Sequence, residues 1–104
     1  LNKKFEDKKE PLYYKFMIVS ETIDKKRKRL IFRSEHRGMK EMDILLGSFA
    51  RKYVPEFNDR QLNIYEEILQ HNDPDLYNWI TEKEKPDMAI LSDVFDQIKA
   101  HTLS

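Results

Sequence analysis

A chain of 104 residues has room for one modest hydrophobic core and no second. With 39% apolar and 37% charged residues it is polar for a globular domain yet too aromatic for a disordered tail, and having no cysteine it excludes a disulfide framework and thiolate chemistry. The net charge of zero conceals a division, since residues 1–40 carry 13 Lys+Arg against 6 Asp+Glu and the remainder carries 6 against 13.

Two readings of that division stand. Either a basic end steers the chain onto an acidic protein or onto phosphates, or the two halves neutralise one another within the fold. The longest apolar run, Phe16-Met17-Ile18-Val19, falls far short of the roughly 20 residues needed to cross a bilayer. The first residues also lack the apolar core of a secretory signal. The expectation is a soluble chain with no direct membrane insertion, in a reducing compartment.

Residues 1–22 are read as an N-terminal extension and 23–104 as a helical domain. The first ten residues are lysine and acid around one phenylalanine and read as a solvated tail. Leu12-Tyr13-Tyr14-Lys15-Phe16-Met17-Ile18-Val19 has the composition of a strand but no partner strand anywhere, which leaves an extra helix or a packed extended arm.

From there apolar residues recur at spacings of three and four, glycine is confined to Gly38 and Gly47, and prolines punctuate. The first helix is predicted over 23–36, with a stripe of Ile23, Arg27, Leu30, Ile31 and Ser34 and with Phe32 to one side. Lys25-Lys26-Arg27-Lys28-Arg29 lies at its start, where positive charge opposes the helix dipole. The second, over 39–54, places Met42, Leu45, Leu46, Phe49 and Tyr53 on one face and stops at Pro55; Gly47 leaves room for a neighbour to approach. Asn58 and Gln61 form a capping box opening a third helix that buries Leu62, Tyr65, Ile68 and Leu69. Asp73 before Pro74 is read as the N-cap of a short fourth helix that buries Leu76, Trp79 and Ile80. Asp87 is read as the cap of a fifth, with Ile90, Leu91, Val94, Phe95 and Ile98 inward. The expected fold is all-α, a compact five-helix bundle with an N-terminal extension.

Elimination narrows the chemistry. His36, His71 and His101 are scattered over three segments, so no metal-ligating pair is expected. Neither glycine belongs to a phosphate-cradling loop, and no serine sits in a nucleophile elbow. Acid pairs such as Glu66-Glu67 are neighbours in sequence and do not face each other on a helix. The basic run at 25–29 invites a nucleic-acid or regulatory binding module, against which stands a sequence pI near 7.0.

The stretch from His36 to Asp43 joins the first two helices. Gly38 is expected in the left-handed conformation that ends the first helix, serving also as N-cap of the second, with Glu41 at the third helical position reaching back to the cap. That reading accounts for glycine and glutamate and leaves Arg37 and Lys40 unexplained.

Arg37-Gly38-Met39-Lys40-Glu41 also resembles the RGxxE signature of the succinate dehydrogenase FAD-assembly factors of the assembly factor 2 type, a family of small five-helix proteins. The likeness continues in register through Asn72-Asp73-Pro74-Asp75-Leu76-Tyr77-Asn78-Trp79 and Lys85-Pro86, and extends over about residues 29–101. The resemblance implies a non-catalytic, chaperone-like factor that binds the flavoprotein subunit of succinate dehydrogenase, and in some bacteria fumarate reductase, and promotes covalent attachment of FAD to a histidine of that subunit. It implies that Arg37, Gly38 and Glu41 form the partner-binding surface, with Met39, Lys40 and Asp43 as secondary contacts. The flavin is expected on the partner, with no cofactor held stably by this chain. The chain is expected to be a monomer, in the cytoplasm of a bacterium or the mitochondrial matrix of a eukaryote.

Overall fold

A computed structural model describes residues 21–104. The two readings of the N-terminal extension lie outside these residues, apart from its last two. The described residues form five α-helices, α1 (Ile23–Glu35), α2 (Lys40–Tyr53), α3 (Asp59–Ile68), α4 (Asp73–Ile80) and α5 (Asp93–Leu103), with short 3-10 turns at Val54–Glu56 and Met88–Ile90. The all-α five-helix expectation is met, and no strand occurs among the described residues.

Four of the five helices begin where a short polar side chain offers an acceptor to a free backbone N–H, α2 being the exception. Thr22 Oγ1 accepts from Lys25 N–H at 3.1 Å, and Asn58 and Gln61 complete their capping box. Three expected caps move. Asn72, not Asp73, caps α4 by accepting from Asp75 N–H at 2.9 Å, which releases the Asp73 carboxylate for other work. Asp87 caps only the 3-10 turn, and Ser92 caps α5 through Phe95 N–H. The fifth helix therefore starts five residues later than Asp87 predicts, and Leu91, placed before it in extended backbone, is 53% exposed instead of buried.

The third correction concerns Gly38. No glycine of the described chain has a positive φ, and the N-cap of α2 is Met39. Glu41 is consequently the second helical residue, and no capping box forms there.

The core is continuous through all five helices. Leu30, Phe49, Leu62, Leu76 and Phe95 are each fully buried, one from each helix. α1 packs most extensively on α2, and α5 lies against α2, α3 and α4. At Gly47 α1 lies close against α2, since a Cβ there would stand 3.3 Å from Glu35 Cγ and 3.6 Å from Glu35 Cα, so the expected close approach is found. Phe49 centres an aromatic cluster with Tyr53, Phe57, Tyr65 and His101, and Ser48 Oγ meets His101 Nε2 at 2.9 Å, which ties α2 to α5. Trp79, expected in the core, is half-buried at its edge and meets His71 edge-on.

Buried polar atoms are paired in a chain beneath α1. Ser34 Oγ donates to the Leu30 carbonyl at 2.7 Å, so the Tyr65 hydroxyl, 2.6 Å away, donates to Ser34. Burial pushes the Tyr65 phenol well above its ordinary range, against the opposing effect of Ser34, and keeps it a neutral donor. At the end of α4, Glu82 adopts φ 63° while its N–H reaches Trp79 O and Lys83 N–H reaches Asn78 O, a Schellman closure with glutamate where glycine is usual.

Candidate partner-docking site

The junction between α1 and α2 is held against the junction between α3 and α4, and Arg37 is the tie. Its Nε donates to Asp73 Oδ1 at 2.8 Å, Nη1 to the Leu69 carbonyl at 2.9 Å and Nη2 to the His71 carbonyl at 2.9 Å. Two of these acceptors are carbonyls just past the C-terminus of α3, where a helix dipole favours positive charge; the third is a carboxylate in the first turn of α4, where it favours negative charge. The Arg37 and Asp73 side chains are each 10% exposed. A buried cation with three well-directed acceptors is a fixed structural element.

Asp73 answers from the other side. Its Oδ2 accepts Met39 N–H at 2.9 Å, and Gly38 N–H also points at the carboxylate. Burial disfavours its charge, but these two N–H groups and the Arg37 guanidinium outweigh that cost and hold the carboxyl below the ordinary aspartate range. Asp43 closes the turn by accepting Arg37 N–H. The work expected of Glu41 and Gly38 as caps is thus done by Asp73 and Asp43.

The six residues proposed from sequence divide into two groups. Arg37 and Asp43 turn inward, as does the half-buried Met39, which packs against the core. Gly38, Lys40 and Glu41 are exposed, and the charged groups of the latter two make no hydrogen bond or ion pair among the described residues. A Cβ on Gly38 would meet Asp73 Oδ2 at 3.4 Å, an ordinary contact, so neither backbone conformation nor internal space demands glycine there.

Sequence reasoning missed five members of this surface, Phe32, Arg33, His36, Asn72 and Asp73. Asp73 was read as a cap because an acid before proline fits that role, and Asn72 beside it fits equally. Phe32, 60% exposed, stacks on His36 with centroids 3.9 Å apart and planes at 22°. The pair is visible in sequence only as an i, i+4 spacing. Together with Arg33, Arg37, Gly38, Asn72 and Asp73 they line a shallow cleft of about 350 Å³.

The basic run is not a second site of the same kind. Arg29 pairs with Glu21 and Glu66 at 2.8 and 2.9 Å, Lys26 with Asn63 and Glu66, and Arg27 donates to the Phe57 carbonyl through Nε and Nη2. Lys26, Arg29 and Arg37 each reach an acid beyond residue 40, so among the described residues part of the charge division is neutralised across the fold. Only Lys25 and Lys28 of the run are exposed, a weak footprint for phosphate. Among the described residues no helix is long and apolar enough to cross a membrane, and no group of three or more His, Cys, Asp or Glu side chains is placed to hold a metal ion.

Known proteins resemble this chain along most of the same span. It is 39% identical over 79 residues to the succinate dehydrogenase assembly factor 2, mitochondrial, of Dictyostelium discoideum, which covers 76% of this chain and 56% of that protein. The namesake protein of Kluyveromyces lactis is 47% identical over 64 residues, 62% of this chain and 39% of its own length. Succinate dehydrogenase assembly factor 2-A, mitochondrial, of Drosophila willistoni is 33% identical over 84 residues, 79% of this chain and 54% of its own. The chain thus spans about half the length of the curated relatives it matches. The family model for the flavinator of succinate dehydrogenase matches residues 28–102, from within α1 to the end of α5. The chain belongs to that family.

Proposed function

We propose that this chain is a non-catalytic assembly factor that docks on the flavoprotein subunit of succinate dehydrogenase and promotes covalent attachment of FAD to it. The observation that carries the reading is the division of the α1–α2 junction: Arg37 is locked to Asp73, Leu69 and His71, while Gly38, Lys40 and Glu41 stand exposed on the rigid turn it creates. Arg37 and Asp43 act from within by fixing the turn, Gly38 lets a partner's backbone approach, and Lys40 and Glu41 supply charged contacts. Met39 caps α2 beneath them.

Flavin attachment needs a histidine of the partner set against the flavin ring and an environment favouring the electron-rich intermediate. A rigid helical wedge supplies both by orientation and fixed charge, without transferring a proton itself. The flavin belongs to the partner in this reading. The N–H groups of Gly38 and Met39 would be the natural donors to a diphosphate, but Asp73 already occupies them and its negative charge would repel one. This junction does not fit the cofactor. One copy of the chain docks on one flavoprotein subunit, in the mitochondrial matrix, a location supported by relatives whose names carry the word mitochondrial.

Co-expression with a succinate dehydrogenase flavoprotein subunit tests the proposal, with covalent flavin read by in-gel fluorescence. The wild-type chain raises the signal, and Glu41→Ala and Gly38→Ala, although folded, lower it. No increase with wild type defeats the assembly-factor reading; full stimulation by both folded variants removes these residues from the surface.

A further inference from the structure

Arg37 cannot serve as the cation that greets a partner, because its guanidinium is held by three internal acceptors. Arg33, one turn earlier on α1, lines the same cleft. It is half-buried, and its guanidinium makes no hydrogen bond or ion pair among the described residues. Asp73, the one acid among the described residues that line the cleft, is already neutralised by Arg37. The cleft therefore presents an uncompensated positive charge in partly dehydrated surroundings, where a carboxylate gains more than it would in open water.

The apolar side of the cleft is equally well defined. His36 Nδ1–H donates to the Phe32 carbonyl at 2.7 Å, which fixes the imidazole and, through the stack, the exposed Phe32 ring. An aromatic surface held in place costs little conformational entropy on binding and makes a good interface anchor.

Resting on the assembly-factor reading, we infer that Arg33, flanked by the Phe32–His36 stack, is the specificity-determining cation of the docking surface and pairs with an aspartate or glutamate of the flavoprotein subunit. The carboxylate enters the cleft beside Gly38 and takes the bidentate guanidinium, while apolar atoms next to it cover Phe32. Lys40, exposed on the far side of Gly38, adds to the field without lining the cleft.

The test is the Kd between this chain and the flavoprotein subunit of succinate dehydrogenase, measured at two salt concentrations, with thermal melts of each variant alongside. Arg33→Glu raises Kd roughly tenfold or more at low salt, and the deficit shrinks as salt screens the repulsion. Arg33→Gln, nearly isosteric and uncharged, weakens binding less, and Arg33→Lys, which keeps the charge but loses the fork, restores only part of it. Phe32→Ser weakens binding by a factor that salt leaves unchanged. Lys52→Glu, about 18 Å from Lys40 along α2, is the charge-reversal control and binds as wild type. If folded Arg33→Gln and Arg33→Glu both bind as wild type, the inference is overturned while the assembly-factor reading stands. If the wild-type chain does not bind the subunit at all, both fall together.

Discussion

Arg37 and Asp73 meet at 2.8 Å across 36 positions of sequence, each nine-tenths buried, and join the two helix junctions at one end of the bundle. Removing either partner leaves a charge in a site built for two. Asp73→Ala should destabilise the fold by about 3 kcal/mol, and Arg37→Ala by a similar amount. Arg37→Lys should recover little of it, since one ammonium cannot reach a carboxylate and two carbonyls in the guanidinium's fork geometry. Urea unfolding midpoints measure all three. Loss of less than about 1 kcal/mol in Asp73→Ala would show that the tie is dispensable.

The exposed half of the same motif should behave in the opposite way. Glu41→Ala and Gly38→Ala are expected to unfold within about 1 kcal/mol of wild type, because Glu41 caps nothing and a Cβ on Gly38 fits at 3.4 Å. Melting curves decide this independently of any flavin assay. Should either variant be severely destabilised, its role would lie in the fold and not on the surface.

Ser34 and Tyr65 form a chain in which each hydroxyl depends on the next. Ser34→Ala should cost about 1–3 kcal/mol by leaving the buried phenol without an acceptor. The double variant Ser34→Ala with Tyr65→Phe should cost less than the sum of the singles, since the stranded donor is gone. A strictly additive double-mutant cycle would contradict the hydroxyl chain.

Glu82 sits in the left-handed region at φ 63°, a conformation that a side chain disfavours by roughly 1–2 kcal/mol relative to glycine. Its ion pair with Lys99 at 3.1 Å is exposed and adds little in return. Glu82→Gly is therefore expected to raise the unfolding midpoint, by up to about 1 kcal/mol once the added freedom of the unfolded chain is counted. A lower midpoint would mean that the ion pair outweighs the backbone strain.

Acid should weaken the fold through Asp73. Its folded carboxyl lies below the ordinary value of 3.8, so the stability it contributes is complete above that value and is lost as pH falls through the lower folded one. Glu66, half-buried and held down by Arg29, acts in the same direction. Urea midpoints should change little from pH 7 to 5 and fall below about pH 4, and Asp73→Asn should flatten part of that fall. An unchanged acid profile in Asp73→Asn would remove Asp73 from the titration.

Much of this was legible in the sequence where the signal is local. Helical spacing located all five helices and most of the core, and the capping box at Asn58 and Gln61 formed as read. Local pattern failed where two adjacent residues qualified for one role, as at Asn72 and Asp73, or where an acid opened a 3-10 turn instead of a helix, as at Asp87. The sequence singled out the residues of the α1–α2 junction, but their division into inward and outward members was not legible there. That division depends on Leu69, His71 and Asp73, more than thirty positions away from Arg37, and no periodicity encodes such a distance. Arg27 teaches the same lesson, since it lies on the apolar stripe yet serves to bind the carbonyl of Phe57.

The Asp73 carboxylate also bears on how long a docked complex lasts. The junction's strongest donors are satisfied before any partner arrives, so a visitor to this end of the bundle can win only the side chains around them. A contact surface of that kind favours quick arrival and ready departure, with most of the affinity adjusted through the rate of leaving. If the proposed docking holds, internal saturation of the turn sets a ceiling on residence time.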